Sequence, residues 1–240
     1  MSVKKNLIFA SASFHPWNYQ KYKFKKSEHK EREGIYALCF NQLKRVVPEN
    51  FEVYIVENTI NSKEEIYTED LKNSLDRFNI LFSKDQRGTQ TDNIGVAELR
   101  QLFHLDQKID FQLYEKVAFL TSRRIVTNPY VFEKTQELQK DALLCNPDYL
   151  YLSGKFEESE KKGMYSDMFF SMKTKTMIDY IKFSKERLEY LDENMISTEI
   201  NLYDFIQTKN ISFEYIETIG FLRYIYQSDT RDLKDKFVIH

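Results

Sequence analysis

The first half of the chain alternates short apolar or β-branched runs with segments of helical periodicity, and few folds accommodate that order. Leu7-Ile8-Phe9-Ala10 is too short for a helix and is followed by the small residues Ser11-Ala12-Ser13. It predicts a buried strand that ends in a tight loop. From Glu31 the apolar positions Ile35, Leu38, Cys39, Leu43, Val46 and Val47 recur at helical spacing until Pro48 stops them. Phe51 to Val56 alternates and is β-branched, which predicts a second strand. Thr68 is placed to cap a helix carrying Leu71, Leu75 and Phe78 on one face. Asn79 to Phe82 predicts a third strand. A polar loop then feeds a helix with Val96, Leu99, Leu102 and Phe103 as its buried stripe, and Lys116 to Leu120 predicts a fourth strand. Parallel neighbours need a crossover, and each crossover helix covers a face of the sheet. The expected core is therefore α/β and Rossmann-like: a mainly parallel sheet with helices on both faces.

The second half is less regular. Asn128-Pro129 predicts a helix start with Pro in the first position, running to Leu138. Tyr149 to Leu152 and Met168 to Met172 read as strands, Met177 to Leu191 and Ile196 to Ile206 as helices, and Phe213 to Ile216 and Phe221 to Tyr226 as final strands. Without strand–helix alternation this half is expected to be an antiparallel C-terminal addition. No Pro/Gly-rich linker, repeat or low-complexity tract divides the 240 residues, so a single domain is expected.

Composition excludes several classes. Hydrophobic content of 42% and charged content of 30% suit a globular chain, and a net charge of -2 supplies no global drive toward nucleic acid or anionic membrane. The lysine-rich segment Lys21 to Lys30, with Tyr22 and Phe24 between its charges, could touch RNA or anionic glycans but reads first as a solvated loop, and no second basic patch supports nucleic-acid binding. Cys39 and Cys145 sit in apolar surroundings and are expected to be reduced core residues. The apolar run near the N-terminus is too short for a signal peptide, and no stretch reaches transmembrane length. A cytoplasmic location is expected, with attachment to the inner membrane face through a partner kept open.

Residues able to carry chemistry fall at strand ends, where open α/β sheets bind ligands. Ser11 and Ser13 close the first strand, and their small side chains let a nucleotide approach the backbone. Glu57 closes the second strand; an acid there can accept hydrogen bonds from a ribose or base, or be a solvated loop acid. Thr91 to Arg100 runs from a polar loop into a helix, whose free N–H groups form a seat for phosphate or sugar hydroxyls, with Asn93, Gly95 and Glu98 in it. The fourth strand carries Lys116 at its start and Thr121-Ser122-Arg123-Arg124 at its end. Its guanidinium groups could hold a diphosphate bidentately or form surface ion pairs with Glu133 or Asp110. Asp167 precedes an apolar strand, and Glu199 falls in the first turn of a helix capped by Ser197 or Thr198. Alone, Glu199 reads as an acid complementing the helix dipole; facing a cleft, either carboxylate could serve as a general base. The four histidines show no metal-ligand spacing.

Taken in order, the first strand and long helix, Asn93-x-Gly95-x-x-Glu98-Leu99, the Lys116 to Arg123 strand, and Ser166-Asp167-Met168-Phe169-Phe170 followed by Thr198-Glu199 resemble GT-A-type glycosyltransferases of bacterial or viral capsule and lipooligosaccharide loci. The resemblance spans Leu7 to Tyr224 and is one of pattern. It implies a transferase moving a sugar from a nucleotide-diphosphate donor to a hydroxyl of a growing glycan. Residues 1–127 are then a nucleotide-binding half, 128–228 an acceptor-side half and 229–240 a peripheral tail. Ser11, Ser13, Glu57, Asn93, Gly95, Glu98, Lys116 and Arg123 are implied on the donor side, and Asp167 or Glu199 as the acceptor base. GT-A enzymes normally offer an Asp-x-Asp pair that holds Mn²⁺ or Mg²⁺ against the diphosphate. This chain has Ser122-Arg123-Arg124 instead, so metal-independent transfer is expected, with no metal ligand named, no certain cofactor, and Mn²⁺ or Mg²⁺ kept open. The competing expectation is a non-catalytic α/β module that binds a partner in an envelope-assembly complex.

Overall fold

The computed structural model describes residues 5–15, 26–83, 93–145, 160–216, 220–224 and 237–239. The alternation predicted for the first half is present: β1 (Lys5–Ala12), α1 (Lys26–Val46), β2 (Phe51–Glu57), α2 (Glu69–Leu75), β3 (Asn79–Phe82), α3 (Ile94–Lys108) and β4 (Tyr114–Thr121). After it come β5 (Arg124–Val126), α4 (Tyr130–Glu137), β6 (Ala142–Cys145) and β7 (Phe169–Lys173). The chain continues through α5 (Thr174–Glu193), α6 (Thr198–Thr208), β8 (Phe213–Ile216), β9 (Phe221–Tyr224) and β10 (Phe237–Ile239). The expected strand at Tyr149 to Leu152 lies outside the described residues, as do Thr91, Asp92 and residues 21–25 of the lysine-rich segment, whose remainder, expected to be a loop first, opens α1. The sequence reading did not anticipate β5 and β6.

Seven strands form one sheet in the order β3-β2-β1-β4-β7-β6-β8. β7 runs antiparallel to β4 and β6; the other pairings are parallel. Side chains alternate across the sheet, and this splits the core in two. Ile8, Ala10, Val53, Ile55, Ala118 and Leu120 pack with residues of α1, α2 and α4, whereas Leu7, Phe9, Val117, Phe119 and Phe170 pack with α3, α5 and α6. Burial on both faces explains why β1 reads as a continuous apolar run. Phe119 lies in a ring ladder, edge-on to Phe9 at 5.0 Å and stacked on Phe170 at 4.9 Å.

Register decides which residues share an edge. Ala12 lies opposite Glu57, Ser11 opposite Thr121, and Leu120 opposite Phe169. The carboxyl ends of β1, β2 and β4 therefore meet the amino end of β7, where Asp167 and Met168 enter. A three-stranded antiparallel sheet, β10-β9-β5, starts beside this edge. Its outer strand comes from the segment expected to be a peripheral tail. Both cysteines are buried thiols outside any disulfide, as expected. Among the described residues no helix is long and apolar enough to cross a membrane.

Candidate active site

Two helix starts build the site's wall. Asn93 caps α3: its Oδ1 accepts from Gly95 N at 3.0 Å and Val96 N at 3.3 Å, while its Nδ2 donates to the carbonyls of Leu191 and Ile196. Those last bonds tie α3 to the turn between α5 and α6. Gly95 then permits contact that no other residue would: a Cβ there would lie 2.8 Å from Thr198 N and 3.0 Å from Thr198 Oγ1. The starts of α3 and α6 are thus pressed together, and their partial positive charges favour carboxylates nearby.

Three carboxylates are there. Asp167 accepts from Thr198 Oγ1 at 3.0 Å, and its backbone carbonyl accepts from Thr121 Oγ1 at 3.0 Å, which ties the entry of β7 to the exit of β4. Glu199 sits in the first turn of α6, where its carbonyl accepts from Tyr165 N. Glu98 lies one turn into α3 and its carboxyl is held well above the usual range. Burial is the main cause and the charge of Asp167 the next; Arg123 and Arg124 oppose the shift, and Glu199 adds to it. The same charges reach Tyr180 below the cluster, raised mainly by burial, with Asp167 and Glu98 adding. Five candidate residues from four separate segments therefore share one electrostatic neighbourhood at the carboxyl edge of β4.

The floor on the β1 side is a tightly bonded loop. Phe14 N donates to Glu57 Oε2 at 2.8 Å, and Thr59 donates to Glu57 Oε1 through both its backbone N–H and its hydroxyl. Ser13 Oγ donates to Asn58 Oδ1 at 2.6 Å, and the carbonyl of Ser11 accepts from Ser122 N at 3.1 Å. Arg32, from α1, donates through Nε to the carbonyl of Ser13 at 2.6 Å and lies over Tyr36. Gln101, one turn after Glu98, donates to the carbonyls of Ala12 and Val56 at 2.6 Å each. Beyond this loop His15 Nε2 meets buried Glu33 at 2.6 Å, and its ring stacks on Tyr67.

Several expectations change. The start of α3 is not an open anion seat, because the Asn93 side chain already takes the N–H groups of Gly95 and Val96. Asn93 and Gly95 shape the wall instead. Glu57 is 0% exposed with both oxygens engaged by Phe14 and Thr59, so it sets the loop rather than presenting a group to a nucleoside. Lys116 stands at the opposite edge of the sheet: it lies five residues before Thr121 on β4, about 17 Å away at the rise of a strand. It donates there to the carbonyl of Gln136, beside a groove of about 730 Å³ that Tyr114, Lys173 and Lys175 also line. That groove is remote from the carboxylates. Sequence reasoning missed Arg32 and Gln101, whose only signal is a position on a helix face.

No protein-family model and no curated protein sequence matches the chain. Its fold does match: the mixed, mostly parallel sheet with helices around it is similar to the fold of GT-A nucleotide-sugar transferases. A protein from Desulfovibrio desulfuricans G20 assigned as a nucleotide-diphospho-sugar transferase superposes with a TM-score of 0.56 at 10% identity, over 89% of this chain and 80% of its own. The galactosyltransferase LgtC, solved with donor and acceptor sugar analogs, gives 0.50 at 11% identity over 88% of this chain and 72% of its own. The bifunctional glycosyltransferase WbbM gives 0.51 at 11% identity, over 89% of this chain and 39% of its own. At such identity the shared property is the fold.

Proposed function

We propose that this chain is a glycosyltransferase that moves a sugar from a nucleoside-diphosphate donor to a hydroxyl of a surface glycan of the capsule or lipooligosaccharide kind. The observation that supports this most is the convergence of Glu98, Asp167, Glu199, Arg123 and Arg124 at the ligand edge of a GT-A sheet. The donor lies over the carboxyl ends of β1 and β4, between the Ser11–Ser13 loop and Arg123. Asp167 takes the proton of the acceptor hydroxyl; Thr198 and the start of α6 hold it in place. Glu199 completes the acceptor side. Burial and the neighbouring Asp167 charge both favour the neutral form of Glu98, which lessens the negative charge where a diphosphate must bind. The reaction is proposed to take place in the cytoplasm, with attachment to the inner membrane face kept open.

Thermal unfolding with UDP, GDP and CDP tests the donor reading: at least one raises the midpoint, and no shift across the panel contradicts it. Asp167→Asn lowers turnover by about a hundredfold or more, the usual scale for a lost general base, while folding as the wild type does. Wild-type turnover in that variant overturns the base assignment. The arginines at the end of β4, where an acidic pair would be usual, favour a second reading as a non-catalytic partner-binding module. Nucleotide binding without any transfer or donor hydrolysis would select it.

A further inference from the structure

Resting on the transferase reading, we infer that the donor's diphosphate is held and neutralised by the guanidinium groups of Arg123 and Arg124, in place of a divalent cation. The GT-A resemblance implies Mn²⁺ or Mg²⁺ held by carboxylates beyond β4, and the residues present do not fit that ion. The turn reads Ser122-Arg123-Arg124, and two fixed positive charges repel a cation at the point where it would sit. One Asp167 oxygen already accepts from Thr198. Among the described residues no group of three His, Cys, Asp or Glu side chains is placed to hold a metal ion.

The arginines suit the anion instead. Arg123 is half-buried at the end of β4, and among the described residues no hydrogen bond or ion pair engages its side chain. Ser122, just before the pair, donates to the Ser11 carbonyl at 3.1 Å, which sets this turn beside the end of β1, and the two charges act on Cys39 of α1 and Glu98 of α3. Partly desolvated guanidinium groups bind phosphate oxygens through paired, charge-assisted hydrogen bonds. In the transfer, the bond from the sugar's anomeric carbon to the phosphate oxygen breaks and its electron pair leaves with the diphosphate. The acceptor oxygen forms the new bond to that carbon, and its proton passes to Asp167. The charge developing on the departing oxygen is what the arginines stabilise.

The test is calorimetric titration of the full chain with UDP, GDP, CDP and inorganic pyrophosphate, each in EDTA and in Mn²⁺. The expected result is saturable binding in EDTA that Mn²⁺ does not strengthen, lost about tenfold or more in Arg123→Gln and partly kept in Arg123→Lys. Circular dichroism confirms that both variants are folded. Nucleotide binding only with Mn²⁺ present, or unchanged affinity in folded Arg123→Gln, overturns the inference and leaves the transferase reading standing. Absence of nucleotide binding in every condition overturns both.

Discussion

At Glu57 two influences act on one proton. Burial favours the neutral carboxyl, while bonds from Phe14 and Thr59 favour the ionised one; burial prevails and the pKa is pushed up to about 7. In the unfolded chain the group titrates near 4.5. Between these values the folded state binds more protons than the unfolded, so the Glu57 contribution to stability is full below about 4.5 and is lost as pH rises through about 7. The shift corresponds to about 3 kcal/mol, an order-of-magnitude figure. Glu57→Gln removes that pH dependence. It also turns an amide N–H toward an N–H that needs an acceptor, and costs about 1–3 kcal/mol. Urea unfolding from pH 4.5 to 8 should show the wild type losing stability relative to the variant as pH rises. Parallel curves would mean that the carboxyl ionises as readily in the fold as out of it.

At the scale of elements, the site depends on the contact between the starts of α3 and α6. Gly95→Ala places a methyl group 2.8 Å from the backbone nitrogen of Thr198, and neither helix start can retreat while Asn93 ties α3 to the turn before α6. Overpacking of this kind costs about 1–3 kcal/mol. It should also shift Thr198 away from Asp167, so activity falls by more than the lost stability explains. Urea unfolding and turnover measured on the same variant check this, and a Gly95→Ala protein with wild-type stability would show that the helices do not meet so closely. The loop–helix segment at Asn93 was conspicuous in the sequence, and its place on the ligand edge was legible from strand order. Its role was not, because a capping Asn and a phosphate-binding Asn have the same local pattern. Only the partner helix, a hundred residues later, distinguishes them.

For the whole molecule, the parallel half was readable because its strands are buried on both faces and its crossovers carry regular stripes. β5 and β6 escaped notice because three or four residues are too few to establish a period. Asp167, Glu199 and Glu98 could be nominated singly as acids at element starts, but their convergence depends on β7 reversing direction beside β4, which no local signal encodes. Lys116 was drawn to the site by resemblance, although a residue at the start of a parallel strand belongs to the opposite edge. A crystal soaked with UDP, GDP and CDP together with Mn²⁺ tests what the carboxyl edge of the sheet binds. The account predicts a nucleoside diphosphate over the carboxyl ends of β1 and β4, its phosphates within hydrogen-bond reach of Arg123 and its outer end toward Asp167. A nucleotide bound at the Lys116 groove, or with its phosphates away from Arg123, would contradict it.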